Sequence, residues 1–535
     1  MSNWQERIKE AVDNSKESRK KGKIEGNSYK VDDIDFFFIE KSKNGYEIKI
    51  SHVKLQTWLI AQGFMLYREH KIADAIPVRI TDNVVSTTTI ADIKKAVQSF
   101  IQDLPEYLLF PNPETETGEG QNADDINQKN EMLRYTEELL EKFIAGSRVY
   151  LGSDKIELLP FFDEETIQDT AQKSYFFFQN CFVEVTASKI TQKKYEQLNG
   201  YIWEEQILDR DFNMHYVDVS TIKRTEQLNP IEKQYNIIDF FWKVAKSKKE
   251  RFLQFQTYIG YALHAYYDYD MRAIVATDST VSDLPSGRSG KTLIADAIGQ
   301  MRSGYALIDG KNLRHSDPNR YNKASRFTNF MQVDDLSAGY DFEQFFSEII
   351  KGFSIKDKYE KGFTKRLKLW ISTNRTLAGN SGSHEARKLE FETSDFFTAE
   401  NRVDVFYSTK NYREWFFTWD DDETWNIFDT FMLHCCQAFL KNGILKMDDI
   451  NLKERRFRDA TNLDFVAFAL DNFKVGQEYQ LEETFEKFKK EYPDFDNPIF
   501  RRNTFTSWTS HFAEFKNWKM HKRKSGSNRY ISFTN

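Results

Sequence analysis

The segment Leu284–Met301, LPSGRSGKTLIADAIGQM, holds the residue types that grip a triphosphate. Small residues let backbone N–H groups turn toward phosphate oxygens, a lysine reaches the β- and γ-phosphates, and a hydroxyl holds Mg²⁺. Gly287, Arg288, Ser289, Gly290, Lys291 and Thr292 supply that set, so the segment predicts an ATP site with Mg²⁺. The match to G-x-x-x-x-G-K-[ST] is imperfect, because Pro285 stands where the pattern wants its first glycine. The setting strengthens it. An apolar strand, RAIVA, precedes the loop, and Leu293, Ile294, Ala297, Ile298 and Met301 recur after the lysine with helical period. Strand, glycine loop and helix form the arrangement this chemistry requires.

Two further strand ends follow in order. NFMQVDDL is an apolar strand closing on Asp334 and Asp335, where the first carboxylate would hold Mg²⁺ with Thr292 and the second would polarise the attacking water. LKLWISTNRTL is a buried strand closing on Asn374, whose amide would orient that water. Taken singly, an acid pair or an asparagine after a strand is more often a cap or a turn; their order and even spacing make the argument.

The series SGRSGKT, QVDDL, a basic stretch and KLWISTN resembles the superfamily 3 helicases, AAA+ ring ATPases of viruses, phages and plasmids. It is most similar to the phage, plasmid and poxvirus-type primase-helicase NTPases, over roughly residues 150–440. The resemblance implies an α/β, multi-domain chain with a central P-loop core on a parallel sheet. It also implies an ATP-dependent DNA helicase for replication of a phage, plasmid or integrated element, working as a homo-oligomeric ring, a hexamer, with a 3′ to 5′ tendency. The partners implied are single-stranded DNA or a forked duplex and a separate primase or polymerase, with no membrane. A basic hairpin that grips single-stranded DNA matches GFSIKDKYEKGFTKRLKLW. There Lys356, Lys358, Lys361, Lys365 and Arg366 would meet phosphates, and Tyr359 or Phe363 would stack on bases. An arginine acting on the neighbouring subunit's nucleotide matches Arg387, with Lys388 beside it and Arg402 in reserve. Two alternatives stand beside this: an AAA+ ATPase that remodels or packages without unwinding, and a non-hydrolysing DNA-binding replication initiator.

The elements that must position these groups fill a chain of 535 residues, too long for one ordinary core. With 75 Lys and Arg against 82 Asp and Glu, the net charge of −7 argues against wholesale coating of nucleic acid but not against a local basic channel. Three cysteines cannot make a disulfide framework or a four-thiolate zinc site. An N-terminus without an apolar signal core, and no long apolar run, predict a cytoplasmic protein, in host cytoplasm if viral. Composition divides the chain into a small α+β domain over 1–110, a polar linker over 111–130 and a mixed α+β domain over 131–230. The ATPase core follows over 231–445, and a winged-helix-like domain with a basic hairpin over 446–535. Lys522, Arg523 and Lys524 lie in its densest positive run and are expected to touch DNA phosphates.

Other conspicuous features have plainer readings. The acidic run in WDDDETW, Trp419–Trp425, is expected to cap a helix, and Cys435 and Cys436 to lie in its core. No His-x-His pair exists for a nicking enzyme, and Asp33-Ile34-Asp35 precedes its strand in a segment too short for a primase.

Overall fold

The computed structural model describes residues 23–43, 45–68, 75–110, 132–133, 136–214, 236–280, 289–337, 340–356, 362–374, 377, 382–398, 401–407 and 416–535. Pro285, Gly287, Arg288, Lys358, Tyr359, Lys361 and the compositional linker lie outside them. The chain divides into two compact units, one of residues 1–167 with 195–206 and one of 168–194 with 207–535.

In the first unit the helix Ile90–Gln102 follows from its sequence. Ile93, Val97 and Ile101 return every four residues and are fully buried, while Thr89 and Asp92 close the N-terminus as a reciprocal capping box. Leu55 and Leu59 of the helix His52–Ala61 join the same core, as does the hairpin of Phe37–Ser42 and Gly45–Ile50. Asp35 is buried and accepts hydrogen bonds from the Tyr29 hydroxyl at 3.1 Å and the Asp32 amide at 3.0 Å. Asp33 is exposed and lies 3.8 Å from Lys54, so the two carboxylates form no paired site.

Five parallel strands form the centre of the second unit: β1 (Ala273–Asp278), β2 (Ala306–Asp309), β3 (Phe330–Asp334), β6 (Lys368–Ser372) and β7 (Lys388–Thr393), with a short antiparallel hairpin, β4 (Phe353–Ile355) and β5 (Phe363–Lys365), between β3 and β6. Their order across the sheet is β2-β3-β6-β1-β7. The central strands β1, β3 and β6 are largely apolar because both faces are covered, whereas the edge strand β7 alternates Lys388, Glu390 and Glu392 with Leu389 and Phe391. Ala273, Val275, Met331, Val333, Leu369 and Ile371 meet Phe342, Phe345 and the hairpin on one side. Ile274, Ala276, Phe330 and Trp370 meet helices on the other. Those helices are α1 (Asn236–Val244), α2 (Lys249–Leu263), α3 (Lys291–Gly299) and α5 (Asp422–Asn442), while α4 (Phe346–Lys351) leads into the hairpin. Asp421 caps α5 by accepting from the Thr424 amide at 2.7 Å, which accounts for the acidic run. Cys435 and Cys436 are buried free thiols whose pKa values burial pushes up. Among the described residues no helix is long and apolar enough to cross a membrane.

The end of the chain adds α6 (Leu452–Ala460), α7 (Leu463–Asn472), β8 (Glu478–Gln480), α8 (Leu481–Glu491), α9 (Arg502–Phe515), β9 (Lys519–Ser525) and β10 (Asn528–Thr534). Three antiparallel strands in the order β8-β10-β9 close one side. Phe457, Phe465, Phe468, Phe488, Phe505 and Phe512 form a separate aromatic core.

Lys368 opens β6 at 3 % exposure. Its ammonium sits 3.9 Å from the centre of the Tyr261 ring and 3.5 Å from Met271 Sδ, with no carboxylate in ion-pair contact among the described residues. Burial lowers its pKa to about 7, against the pull of Asp268 and Asp169, and the Tyr261 face offsets part of that cost. The folded pKa lies below the unfolded one, so the unfolded chain binds the extra proton between about pH 7 and pH 10 and stability rises with pH across that window. Lys368→Met is therefore expected to raise the melting temperature, and by more at pH 7 than at about pH 9.5, where much of the penalty is already relieved. Thermal melts of both proteins at the two pH values check this; an equal gain at both would refute it.

Candidate functional site

The sheet order brings three strand ends together. Because β6 runs between β1 and β3, Asn374 at its end falls between the phosphate-loop strand and the acidic strand. Gly290 begins α3 with φ +88°, and a Cβ there would lie 2.5 Å from Cζ of Phe240 on α1. Both the backbone angle and the space demand glycine. The turn delivers Lys291 inward at 8 % exposure. Its ammonium lies 2.5 Å from Asp278 Oδ1, 3.0 Å from Asn374 Oδ1 and 3.4 Å from Ser289 Oγ. Ser289 also donates to Asp278 Oδ1, and Thr393 Oγ1 lies 3.4 Å from it. Asp278 thus neutralises the lysine, and any phosphate must compete with this carboxylate.

Around Asp334 the donors converge on a single oxygen. Oδ1 accepts from Ser372 Oγ at 2.6 Å, Thr292 Oγ1 at 3.1 Å and Gln332 Nε2 at 3.1 Å. Gln332 is fully buried, bonds Ser372 Oγ at 3.2 Å and accepts from the Tyr305 hydroxyl, so the carboxylate is held in one orientation. Asp335 follows with φ +55°, an uncommon angle for a residue with a side chain. Its carboxylate lies 2.7 Å from Lys311 Nζ and 3.5 Å from Asn374 Nδ2. The Lys311 ammonium pKa is raised by that hydrogen bond.

A Mg²⁺ fits this donor set. Thr292 and Asp334 offer hydroxyl and carboxylate oxygen 3.1 Å apart, and the second oxygen of Asp334 has no hydrogen bond to a described residue. No cluster of three or more His, Cys, Asp or Glu occurs among the described residues. A hard cation held by one or two protein oxygens and substrate phosphates needs none.

Several sequence-predicted residues stand elsewhere. Arg387 precedes β7 at the far end of the sheet: its carbonyl accepts from Ala273 at the start of β1, about 17 Å of strand away from the phosphate loop. Its guanidinium donates to the Ser383 carbonyl at 3.0 Å and lies 4.7 Å from the Phe346 ring, away from the Lys291 site. Lys356 and Arg366 are exposed beside the hairpin, Lys365 is half-buried on β5, and Phe363, also half-buried, packs against the apolar core opposite Ile355. Arg523 is tied to Glu478 by two bonds, at 2.9 and 2.6 Å.

Two participants escaped the sequence. Asp278 ends the strand RAIVATD directly before the loop, a position that could have flagged it. Arg455 on α6 carried no such signal; it is buried and donates to the carbonyls of Asp278 and of Asn374, the latter at 3.0 Å. Beside it, Glu392 accepts from the Ile450 and Asn451 amides, and Asn451 Nδ2 donates to the Ser279 carbonyl at 2.8 Å.

The fold and this site define a mixed α/β protein on a parallel sheet, with a lysine, two hydroxyls, paired carboxylates and an amide gathered at its strand ends. No known protein family matches the chain, and no curated protein matches it. Among solved structures it is similar to the apo C-terminal region of NrS-1, at 12% identity and TM-score 0.36, over 90% of this chain and 98% of that one. It is also similar to a JCV helicase bound to a thiazolopyridine compound, at 10% identity and TM-score 0.26, over 47% of this chain and 69% of that one. A full-length MCM homolog from Methanopyrus kandleri matches at 7% identity and TM-score 0.21, over 66% of this chain and 70% of that one.

Proposed function

We propose that the protein is an ATP-dependent DNA helicase of the superfamily 3 type, acting in replication as a homo-oligomeric ring, a hexamer. The observation that carries this reading is the meeting of Lys291, Thr292, Asp334 and Asn374 at adjacent strand ends in the order that ATP hydrolysis needs. Lys291 leaves Asp278 to bind the β- and γ-phosphates, with Ser289, Gly290 and the rest of the loop donating backbone N–H groups. Mg²⁺, when bound, neutralises charge on those phosphates. Thr292 and Asp334 hold it, Gln332 and Ser372 fix the Asp334 carboxylate, Asp335 takes a proton from the attacking water, and Asn374 orients that water. Arg387, too far to act in cis, serves the neighbouring subunit. In this reading the chain works as five parts, with residues 446–535 as a winged helix.

Hydrolysis drives the hairpin between Phe353 and Lys365 along a single strand through Lys356, Lys358, Lys361, Lys365 and Arg366. The test is ATP turnover with and without oligo-dT. Wild type is expected to be stimulated several-fold, and Lys358→Ala/Lys361→Ala to lose that stimulation. Unchanged coupling in the variant would overturn the pore assignment, and a wild type without turnover would favour the non-hydrolysing initiator.

A further inference from the structure

At the strand ends away from the phosphate loop, a cavity of about 420 Å³ lies between the end of α2, the segment leading into β1, the start of β6 and the end of α5. Its walls are Tyr261, Tyr266, Phe439, Leu440 and Ile444, the last four half-buried. Asp268, Asp270 and Gly443 are exposed, so the cavity opens to solvent on their side. Lys368 lines it as well, and is buried. An ammonium carries three donors, yet the hydrogen-bond acceptor of this one among the described residues is the Met271 sulfur at 3.5 Å, with the Tyr261 and Tyr267 rings at 3.9 and 5.5 Å. No oxygen from a described residue meets it. A buried cation without an oxygen partner is held at a cost, and the cavity is where such a partner can enter.

We propose that this cavity binds a small aromatic carboxylate, with its carboxylate on Lys368 and its ring against Tyr266 and Phe439. Three features favour that class. A single ammonium matches a monoanion, whereas a phosphate dianion needs further donors: Arg272 is taken by Asp270 at 2.8 Å, and exposed Asp268 repels a second negative charge. Rings and aliphatic side chains suit a flat apolar body. The volume is that of a small-molecule site. The site is separate from the proposed motor, since Lys368 opens β6 and Asn374 lies beyond its other end, about 20 Å of strand away.

Pairing with a carboxylate couples binding to a proton. Burial lowers the Lys368 pKa to about 7, and an anion beside the ammonium raises it, so the bound form takes up a proton wherever the free amine is neutral. Affinity therefore falls as pH rises above about 7. The other charges facing Lys368 are Asp268 and Asp169, the latter 2.8 Å from Arg302. Burial raises the pKa values of Tyr261 and Tyr267 and lowers that of His264, which leaves Lys368 as the group that changes charge between about pH 7 and pH 9.5.

The test is titration calorimetry of the full chain with 2-naphthoate and with its uncharged isostere, 2-naphthamide. Wild type is expected to prefer naphthoate about tenfold or more at about pH 6.5, and to bind it about tenfold or more weakly at about pH 9.5. Buffers of different ionisation heat at about pH 8 should show naphthoate binding with uptake of most of one proton, and naphthamide with none. Lys368→Met is expected to erase the preference, the pH dependence and the proton uptake, and melting curves check that it folds. Equal affinity for the two probes at about pH 6.5, pH-independent naphthoate binding, or naphthoate binding by Lys368→Met as tight as by wild type would each overturn the proposal. So would the absence of saturable naphthoate binding up to about 1 mM. None of these readouts uses ATP, so failure of the motor reading would appear separately, as absent turnover.

Discussion

Lys291→Ala is expected to lower ATP turnover by about 10²- to 10³-fold, because it removes an ammonium placed to follow charge onto the phosphates. The same change is expected to destabilise the fold by about 3–5 kcal/mol, which an exposed loop lysine would not do. The reason lies in Asp278. Both partners are buried, and among the described residues the carboxylate without the lysine keeps only the hydroxyls of Ser289 and Thr393. A double variant separates the two effects. Asp278→Asn/Lys291→Met replaces the charge pair by groups of similar size, and is expected to recover most of the stability while turnover stays absent. Asp278→Asn alone frees the lysine from its competitor and is expected to tighten nucleotide binding. Urea titrations of the four proteins, with equilibrium binding of ATP, read both quantities. If Lys291→Ala is as stable as wild type, the buried pair is not what holds this loop.

Arg455→Ala is expected to cost about 3 kcal/mol and to raise KM for ATP, although the residue lies in the C-terminal part of the chain. Its guanidinium bonds the backbone carbonyls of Asp278 and Asn374, the residues at either side of the Lys291 ammonium. Removing it takes a donor from the buried Asp278 carbonyl, a loss of about 1–3 kcal/mol, and from the half-buried Asn374 carbonyl, a smaller one. It also frees the ends of β1 and β6, which set the spacing between Asp278 and Asn374 across the lysine. Arg455→Lys keeps the charge but replaces a planar fork by a single point donor, so partial recovery of stability and a smaller rise in KM are expected. The readout that separates positioning from general destabilisation is KM measured well below the melting temperature of each variant. A variant that loses stability with unchanged KM would make Arg455 a structural tie only.

The sequence by itself determined the local chemistry. Strand, glycine turn and helix around Lys291, the acids closing NFMQVDDL and the asparagine closing LKLWISTN are short-range patterns, set by periodicity and by backbone angles that few residues tolerate. The same holds for Asp421 as a cap and for the hairpin around residues 353–365.

Only the tertiary structure decided how these pieces meet. Strand order placed β6 between β1 and β3, and no local pattern encodes that these three become neighbours, since each is largely apolar on both faces. That order set Asn374 beside the Lys291 ammonium, while Arg387 falls at the opposite end of the sheet because it precedes a parallel strand. Register then sorted the basic C-terminal run, pairing Arg523 with Glu478 and leaving Lys522 and Lys524 without an ion pair among the described residues, because a strand turns successive side chains to opposite faces. Arg455 lies farthest from what a sequence can show: its acceptors are backbone carbonyls, which every residue carries, so only the folded chain selects which two it finds.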